Sequence, residues 1–163
     1  MEQLRQRVVM NPRDTTARGE LALKLEKLGF TEEALSHYRE MEPLMPGSWQ
    51  LFFNMAKTCQ TLKRYPEAAR AYEQTLQLNS ANADAWNNLG LVYGELKEFP
   101  RAVTAFERAM EERGGHSLAS FNLAVLFLNM GDKSAALRQF QTTAQKFPSM
   151  QPYISPYLKL LTD

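Results

Sequence analysis

The chain has 163 residues, 19 basic against 18 acidic side chains, a formal net charge of +1 and a single cysteine, Cys59. That balance leaves no electrostatic footprint for nucleic acid or an anionic membrane, one cysteine excludes an internal disulfide, and no apolar run reaches the roughly 20 residues of a membrane helix. The N-terminus lacks the apolar core of a signal peptide, so a cytoplasmic location is expected.

In chain order, every predicted element is a helix. Residues 1–10 form a short amphipathic helix with Leu4 and Val8 on one side, ended by Asn11-Pro12. Leu21, Leu25 and Leu28 then mark one face of a second helix, which Gly29 should stop. Thr31 is the expected N-cap of the next helix, with Glu32 and Glu33 in its positive first turn. Pro43 should end that helix early. Pro66 and Pro100 stand at expected helix starts, where a missing N–H costs nothing. Gly114-Gly115 reads as a flexible turn, and Gly131 followed by Asp132 gives a second stop-and-cap signal. Pro152 and Pro156 restrict the last segment, so regular helix is expected from about Pro156. Tyr153, Ile154, Tyr157, Leu158 and Leu161 form its apolar side.

These elements recur at a fixed step of 34 residues. Between 83 and 114 the chain reads Trp86, Leu89-Gly90 and Tyr93, then Ala102 and Phe106. This is W-x2-L-G-x2-Y followed by A-x3-F, and it resembles the tetratricopeptide repeat, a helix–turn–helix unit of 34 residues. The closing proline of that pattern is absent, because Gly114 stands in its place. With Thr15, Trp49, Ala83 and Ser117 as position 1, position 8 is Ala22, Ala56, Gly90 and Ala124, and position 20 is Ala34, Ala68, Ala102 and Ala136. Position 24 is Tyr38, Tyr72, Phe106 and Phe140, and position 11 is Leu25, Cys59, Tyr93 and Phe127. Small residues permit close helix approach and large ones fill the flanks, so Cys59 reads as a small buried hydrophobe. Arg18 breaks the pattern at position 4, where a large apolar residue is usual, so the first repeat should be the least regular.

The resemblance implies an all-α fold, a right-handed superhelical solenoid of antiparallel helix pairs. The expected boundaries are a partial repeat over 1–14, repeats over 15–48, 49–82, 83–116 and 117–150, and a capping helix over 151–163. One repeat cannot bury both of its faces, so neighbours and caps must complete the core.

In this family the first helices of the repeats line a concave groove through positions 2, 5, 6, 9, 12 and 13. Position 6 reads Glu20, Asn54, Asn88 and Asn122, with Asn87 beside one of them. Asparagine is a mediocre helix former, about 0.5 kcal/mol worse than alanine, and its amide can pair with both the N–H and the C=O of a peptide. The recurrence is similar to the asparagine ladder of tetratricopeptide superhelices that hold extended peptides. Phe53, Lys57, Leu91, Leu118, Phe121 and Val125 occupy other groove positions, and their apolar members fit a ligand with apolar side chains, unless the terminal helix folds across them. The residues that chaperone-binding relatives use to clamp a C-terminal carboxylate are missing: Gly19 and Leu23, or Phe53 and Lys57, stand at the clamp's first two places. A heat-shock chaperone tail is therefore not the expected ligand.

Neither His37 nor His116 has a metal-ligand partner at helical spacing, and no glycine-rich phosphate loop is present. The expectation is a non-catalytic protein-interaction scaffold that binds a protein or peptide partner and needs no cofactor. The alternatives are self-association through the terminal repeats, or a recruiting portion of a larger protein such as a glycosyltransferase or secretion factor.

Overall fold

The computed structural model describes residues 1–111 and 115–162. Ten α-helices account for most of them: α1 Glu2–Met10, α2 Thr15–Lys27, α3 Thr31–Met41, α4 Trp49–Thr61, α5 Tyr65–Leu78, α6 Ala83–Glu95, α7 Phe99–Glu111, α8 Ser117–Asn129, α9 Lys133–Lys146 and α10 Gln151–Thr162. No strand occurs among the described residues. The chain divides into two compact units, Met1–Ser80 and Ala81–Asp163.

The helix starts follow from capping chemistry. α2, α4, α6 and α8 begin after Asp14, Ser48, Asn82 and His116, whose side chains accept from the backbone N–H three residues on, at 2.8, 3.3, 2.9 and 3.0 Å. Each cap satisfies one of the orphan donors of a helix N-terminus. That bond from Ala17, followed by the Arg7 guanidinium, holds the Asp14 carboxyl below its ordinary range. His116 caps through Nδ1, so its ring proton sits on Nε2, 3.0 Å from Asp84 Oδ1.

The same helices end alike. Gly29, Lys63, Lys97 and Gly131 adopt φ of 83, 58, 60 and 82°. The next residue's N–H reaches back five residues, as in Phe30 to Leu25 and Glu98 to Tyr93, both at 2.9 Å. This is the Schellman ending, which needs a left-handed residue at its hinge. Glycine fits there without strain; the two lysines do not. The turn also fixes where the partner helix begins. Thr31 is therefore the first helical residue and not the expected N-cap; Phe30 holds that place and supplies no side-chain bond. At the equivalent place Asp132 does cap, accepting from Ala135 at 2.8 Å.

Within each unit the helices pack as antiparallel pairs: α2 with α3, α4 with α5, α6 with α7, and α8 with α9. The contact runs through small residues. Ala22, Ala34, Ala56, Ala68, Ala102, Ala124 and Ala136 are all fully buried. At Gly90 a Cβ would lie 2.7 Å from the Phe106 ring, so only glycine allows α6 and α7 their spacing. Tyr38, Tyr72, Phe106 and Phe140 fill the flank beside each contact and are buried to 1% exposure or less. The two tyrosines need acceptors for their hydroxyls, and position 12 supplies them. Tyr38 donates to Glu26 at 3.2 Å and Tyr72 to Gln60 at 2.9 Å. Where position 24 is Phe106 or Phe140, position 12 is Gly94 or Leu128 and no acceptor is needed. Burial, then the adjacent Glu26 carboxylate, pushes the Tyr38 phenol well above its ordinary range. Burial likewise raises the Cys59 thiol, which is 2% exposed and packs as a core residue.

The first repeat is irregular where the sequence placed the fault. α3 has 11 residues against 14 in α5, and a 3-10 turn over Glu42–Leu44 carries Pro43. Arg18 is 5% exposed; it donates to the Pro12 carbonyl at 2.8 Å, pairs with Glu40 and lies 3.2 Å from His37 Nδ1. It thereby ties the end of α1 to the α2–α3 pair. Leu28 is exposed, a departure from the expected apolar face, because it stands at the C-cap where α2 has already turned outward.

In the second unit α10 begins at Gln151, earlier than the expected start near Pro156. Pro152 lies in the first turn, where it removes no intrahelical bond, and Pro156 forfeits one. Packing outweighs that loss: Ile154 is fully buried, and Tyr157 stacks on Phe140 with ring centroids 4.8 Å apart. Gly114, half of the expected flexible turn, lies outside the described residues.

Two outcomes test this packing. Gly90→Ala should lose about 1–3 kcal/mol by overpacking against Phe106. Gly94→Ala meets only Leu126 Cδ1 at 3.5 Å, an ordinary contact, and should gain about 0.5–1 kcal/mol from helix propensity. Urea unfolding of the two variants should move the midpoint in opposite directions. Separately, burial and then the Arg18 charge lower the His37 pKa from its ordinary value of 6.5, against the raising effect of Glu40 and Glu33. The unfolded chain then binds more protons than the folded one near and below that value, so stability should rise with pH through this window. Melting temperature should fall between pH 7.5 and 5.5, and His37→Gln should flatten that part of the profile.

Candidate functional site

Each unit carries a cleft on its first helices, and the two clefts are built from the same repeat positions. In the first unit Leu23, Glu26, Thr31, Asn54, Lys57 and Thr61 enclose about 230 Å³. Two repeats later, Leu91, Gly94, Phe99, Asn122, Val125 and Asn129 take those places around about 340 Å³, with Gly90, Glu95, Lys97, Phe106 and Leu126 completing the wall. The shared geometry follows from the pairing: positions 8, 20 and 24 are consumed in the helix contact, which leaves positions 6, 9, 12 and 13 facing outward.

The chemistry of the two clefts differs. In the first, Glu26 is held by the Tyr38 and Thr58 hydroxyls. Lys57 is exposed, with its ammonium 5.9 Å from the Phe53 ring centroid. The Asn54 amide makes no hydrogen bond to another described residue, while its backbone carbonyl accepts from Thr58 at 2.8 Å. In the second, Gly94 stands where Glu26 stood and Phe106 where Tyr38 stood, so the floor is apolar.

Three of the asparagines in the second unit form a directed chain. Asn122 Nδ2 donates to Asn87 Oδ1 at 2.9 Å, and Asn87 Nδ2 donates to Asn88 Oδ1 at 3.2 Å. Asn87 is 6% exposed and acts as the buried link. Asn88 Nδ2 and Asn122 Oδ1 remain uncommitted among the described residues, one a donor and the other an acceptor.

The other predicted residues divide. Leu91 and Val125 join Asn122 in the larger cleft. Phe53 packs edge-on against Tyr72 at 5.9 Å. Phe121 packs edge-on against Phe140 and against Tyr157 of α10, at 5.7 and 5.6 Å, so the terminal helix covers it. Leu118 is 54% exposed and lies in neither cleft. Gly94, Lys97, Phe99 and Asn129 were not anticipated; their signal was the departure of position 12 from a large side chain. Both histidines have structural roles, His37 beside Arg18 and His116 as a cap. Among the described residues no group of three metal-ligating side chains gathers, and no helix is long and apolar enough to cross a membrane.

No curated protein matches the chain significantly. The fold is shared with solved structures at low identity. MamA is 19% identical with a TM-score of 0.84, covering 92% of this chain and 88% of that one. YrrB, described as a TPR protein with an unusual peptide-binding site, is 21% identical with a TM-score of 0.75, covering 97% and 81%. PilF of Pseudomonas aeruginosa is 24% identical with a TM-score of 0.75, covering 93% and 69%. The sequence profile described as tetratricopeptide repeat matches residues 61–117 and 93–151, together more than half of the chain. With that pattern laid over helix pairs that begin 34 residues apart, the chain belongs to the tetratricopeptide repeat family, whose fold is that of a protein-interaction scaffold.

Proposed function

We propose that this chain is a non-catalytic scaffold that binds an extended segment of a partner protein along its first helices, with residues 15–48, 49–82, 83–116 and 117–150 as its modules and 1–14 and 151–163 closing the ends. The observation that carries this reading is the polarity of the asparagine chain. Its internal bonds leave the Asn88 NH2 group and the Asn122 carbonyl oxygen without partners among the described residues, a donor group and an acceptor that complement a peptide C=O and N–H. Recognition through the peptide backbone is tolerant of side chains, and the adjoining clefts add selection. Asn54 contributes a further amide in the first unit. The peptide-binding site described for YrrB supports the same use of this fold.

Affinity-purified partners, identified by mass spectrometry, should bind the triple variant Asn54→Ala, Asn88→Ala, Asn122→Ala at least about ten-fold more weakly, since each lost hydrogen bond is worth about 0.5–1.5 kcal/mol. The variant's helicity should be unchanged. Partners retained at full strength by a folded triple variant would remove the asparagines from the binding surface.

A further inference from the structure

The larger cleft contains a glycine that the chain's own packing does not require. Gly94 lies inside α6, where glycine is less stable than alanine. A Cβ there would touch only Leu126 Cδ1, at an ordinary 3.5 Å. It differs in this from Gly90 one turn earlier, which the Phe106 ring forces. The other three repeats fill position 12 with Glu26, Gln60 and Leu128, the first two reaching tyrosine hydroxyls and the third packing under the terminal helix. In the third repeat the side chain is gone, and so is the hydroxyl it would have served, because position 24 is Phe106. The two changes together open a space whose floor is apolar, formed by Leu91, Phe99, Phe106, Val125 and Leu126. Leu91 remains 37% exposed at its edge.

The rim is polar and carries both charges. Lys97 sits in the left-handed region, at a place where two other repeats have glycine. Neither Lys97 nor Glu95 has an ion-pair partner among the described residues, and both line the opening beside the Asn122 and Asn129 amides. A volume of about 340 Å³ lies at the small end of ligand sites, which run from roughly 300 to 1,000 Å³. It suits one side chain with its own stretch of backbone better than a whole metabolite.

Resting on the peptide-binding reading above, we infer that Gly94 sets specificity: the α6–α8 cleft accepts one large aliphatic or aromatic side chain of an extended partner segment, flanked by an acidic residue at Lys97 and a basic residue at Glu95. The missing side chain of Gly94 is the socket, the rim charges select the neighbours, and the asparagines hold the backbone. The smaller cleft, with Glu26 at the equivalent place, would not accept such a side chain.

The probe is a random dodecapeptide display library selected on the full chain, with the enriched peptides synthesised and titrated by fluorescence anisotropy. Enriched sequences should share one large apolar residue flanked by opposite charges. Gly94→Leu, which copies the residue native to position 12 of the fourth repeat, should weaken them about ten-fold or more, the scale of a blocked side-chain pocket. Gly94→Ala, the variant expected to gain stability, should weaken the largest side chains first and decides the matter if Gly94→Leu does not fold. Peptides that bind both Gly94 variants as well as wild type but are lost with Asn88→Ala and Asn122→Ala would overturn the socket and leave the peptide-binding reading intact. If no peptide is enriched, or binding survives every one of these substitutions, the peptide-binding reading fails and the socket with it.

Discussion

Everything in this fold depends on how closely two helices approach at one pair of small residues. An alanine or glycine at position 8 faces an alanine at position 20, and the aromatic ring at position 24 closes over the contact. At Gly90 the constraint is tightest, because a β-carbon would lie 2.7 Å from the Phe106 ring and force it to shift. At the other pairs the alanines are fully buried. Interiors pack at crystal-like density, so this contact sets the crossing of each pair. It also decides which faces remain for anything else.

The caps and turns serve that contact by fixing register. A capping side chain starts each first helix, and a Schellman ending stops it after the same number of residues. The three-residue turn then delivers the second helix at the height where alanine meets alanine. Because the turn needs a left-handed residue, Lys63 and Lys97 accept a conformation that Gly29 and Gly131 adopt freely. The partner of each buried tyrosine is also set by this register, since position 12 of the first helix lies level with position 24 of the second. Polar Glu26 and Gln60 accompany tyrosine, and Gly94 and Leu128 accompany phenylalanine.

Much of this was legible in the sequence, because local rules and the fixed step agree. The small residues, the glycine stops, the Asp132 cap and the prolines at helix starts each have one physical reading, and the repeat supplied the rest. The errors arose where tertiary packing overrode a local signal. Thr31 looked like a cap, but the turn geometry had already assigned that place to Phe30. Pro156 looked like a helix start, but the burial of Ile154 and the stacking of Tyr157 on Phe140 carry helix through it. The hydrogen bonds joining Asn87 to Asn88 and Asn122 depend on the distance between α6 and α8, which no local pattern encodes. His116 as a cap was hidden because imidazole is a rare acceptor at that position. The pairing of positions 12 and 24 was visible in the residues and had a simple cause, a hydroxyl needing an acceptor. It emerged only once the two helices could be set side by side.

Helix pairing thus consumes one side of each first helix and leaves the clefts and the uncommitted amides on another, the face on which the proposed partner segment would lie. The most direct measurement is backbone amide hydrogen exchange of the full chain with and without a saturating selected peptide. The account predicts slowed exchange in α4, α6 and α8 and at the start of α7, where Phe99 lines the larger cleft, with α5 and α9 unchanged. Protection concentrated on α5 and α9, with the first helices unaltered, would contradict it.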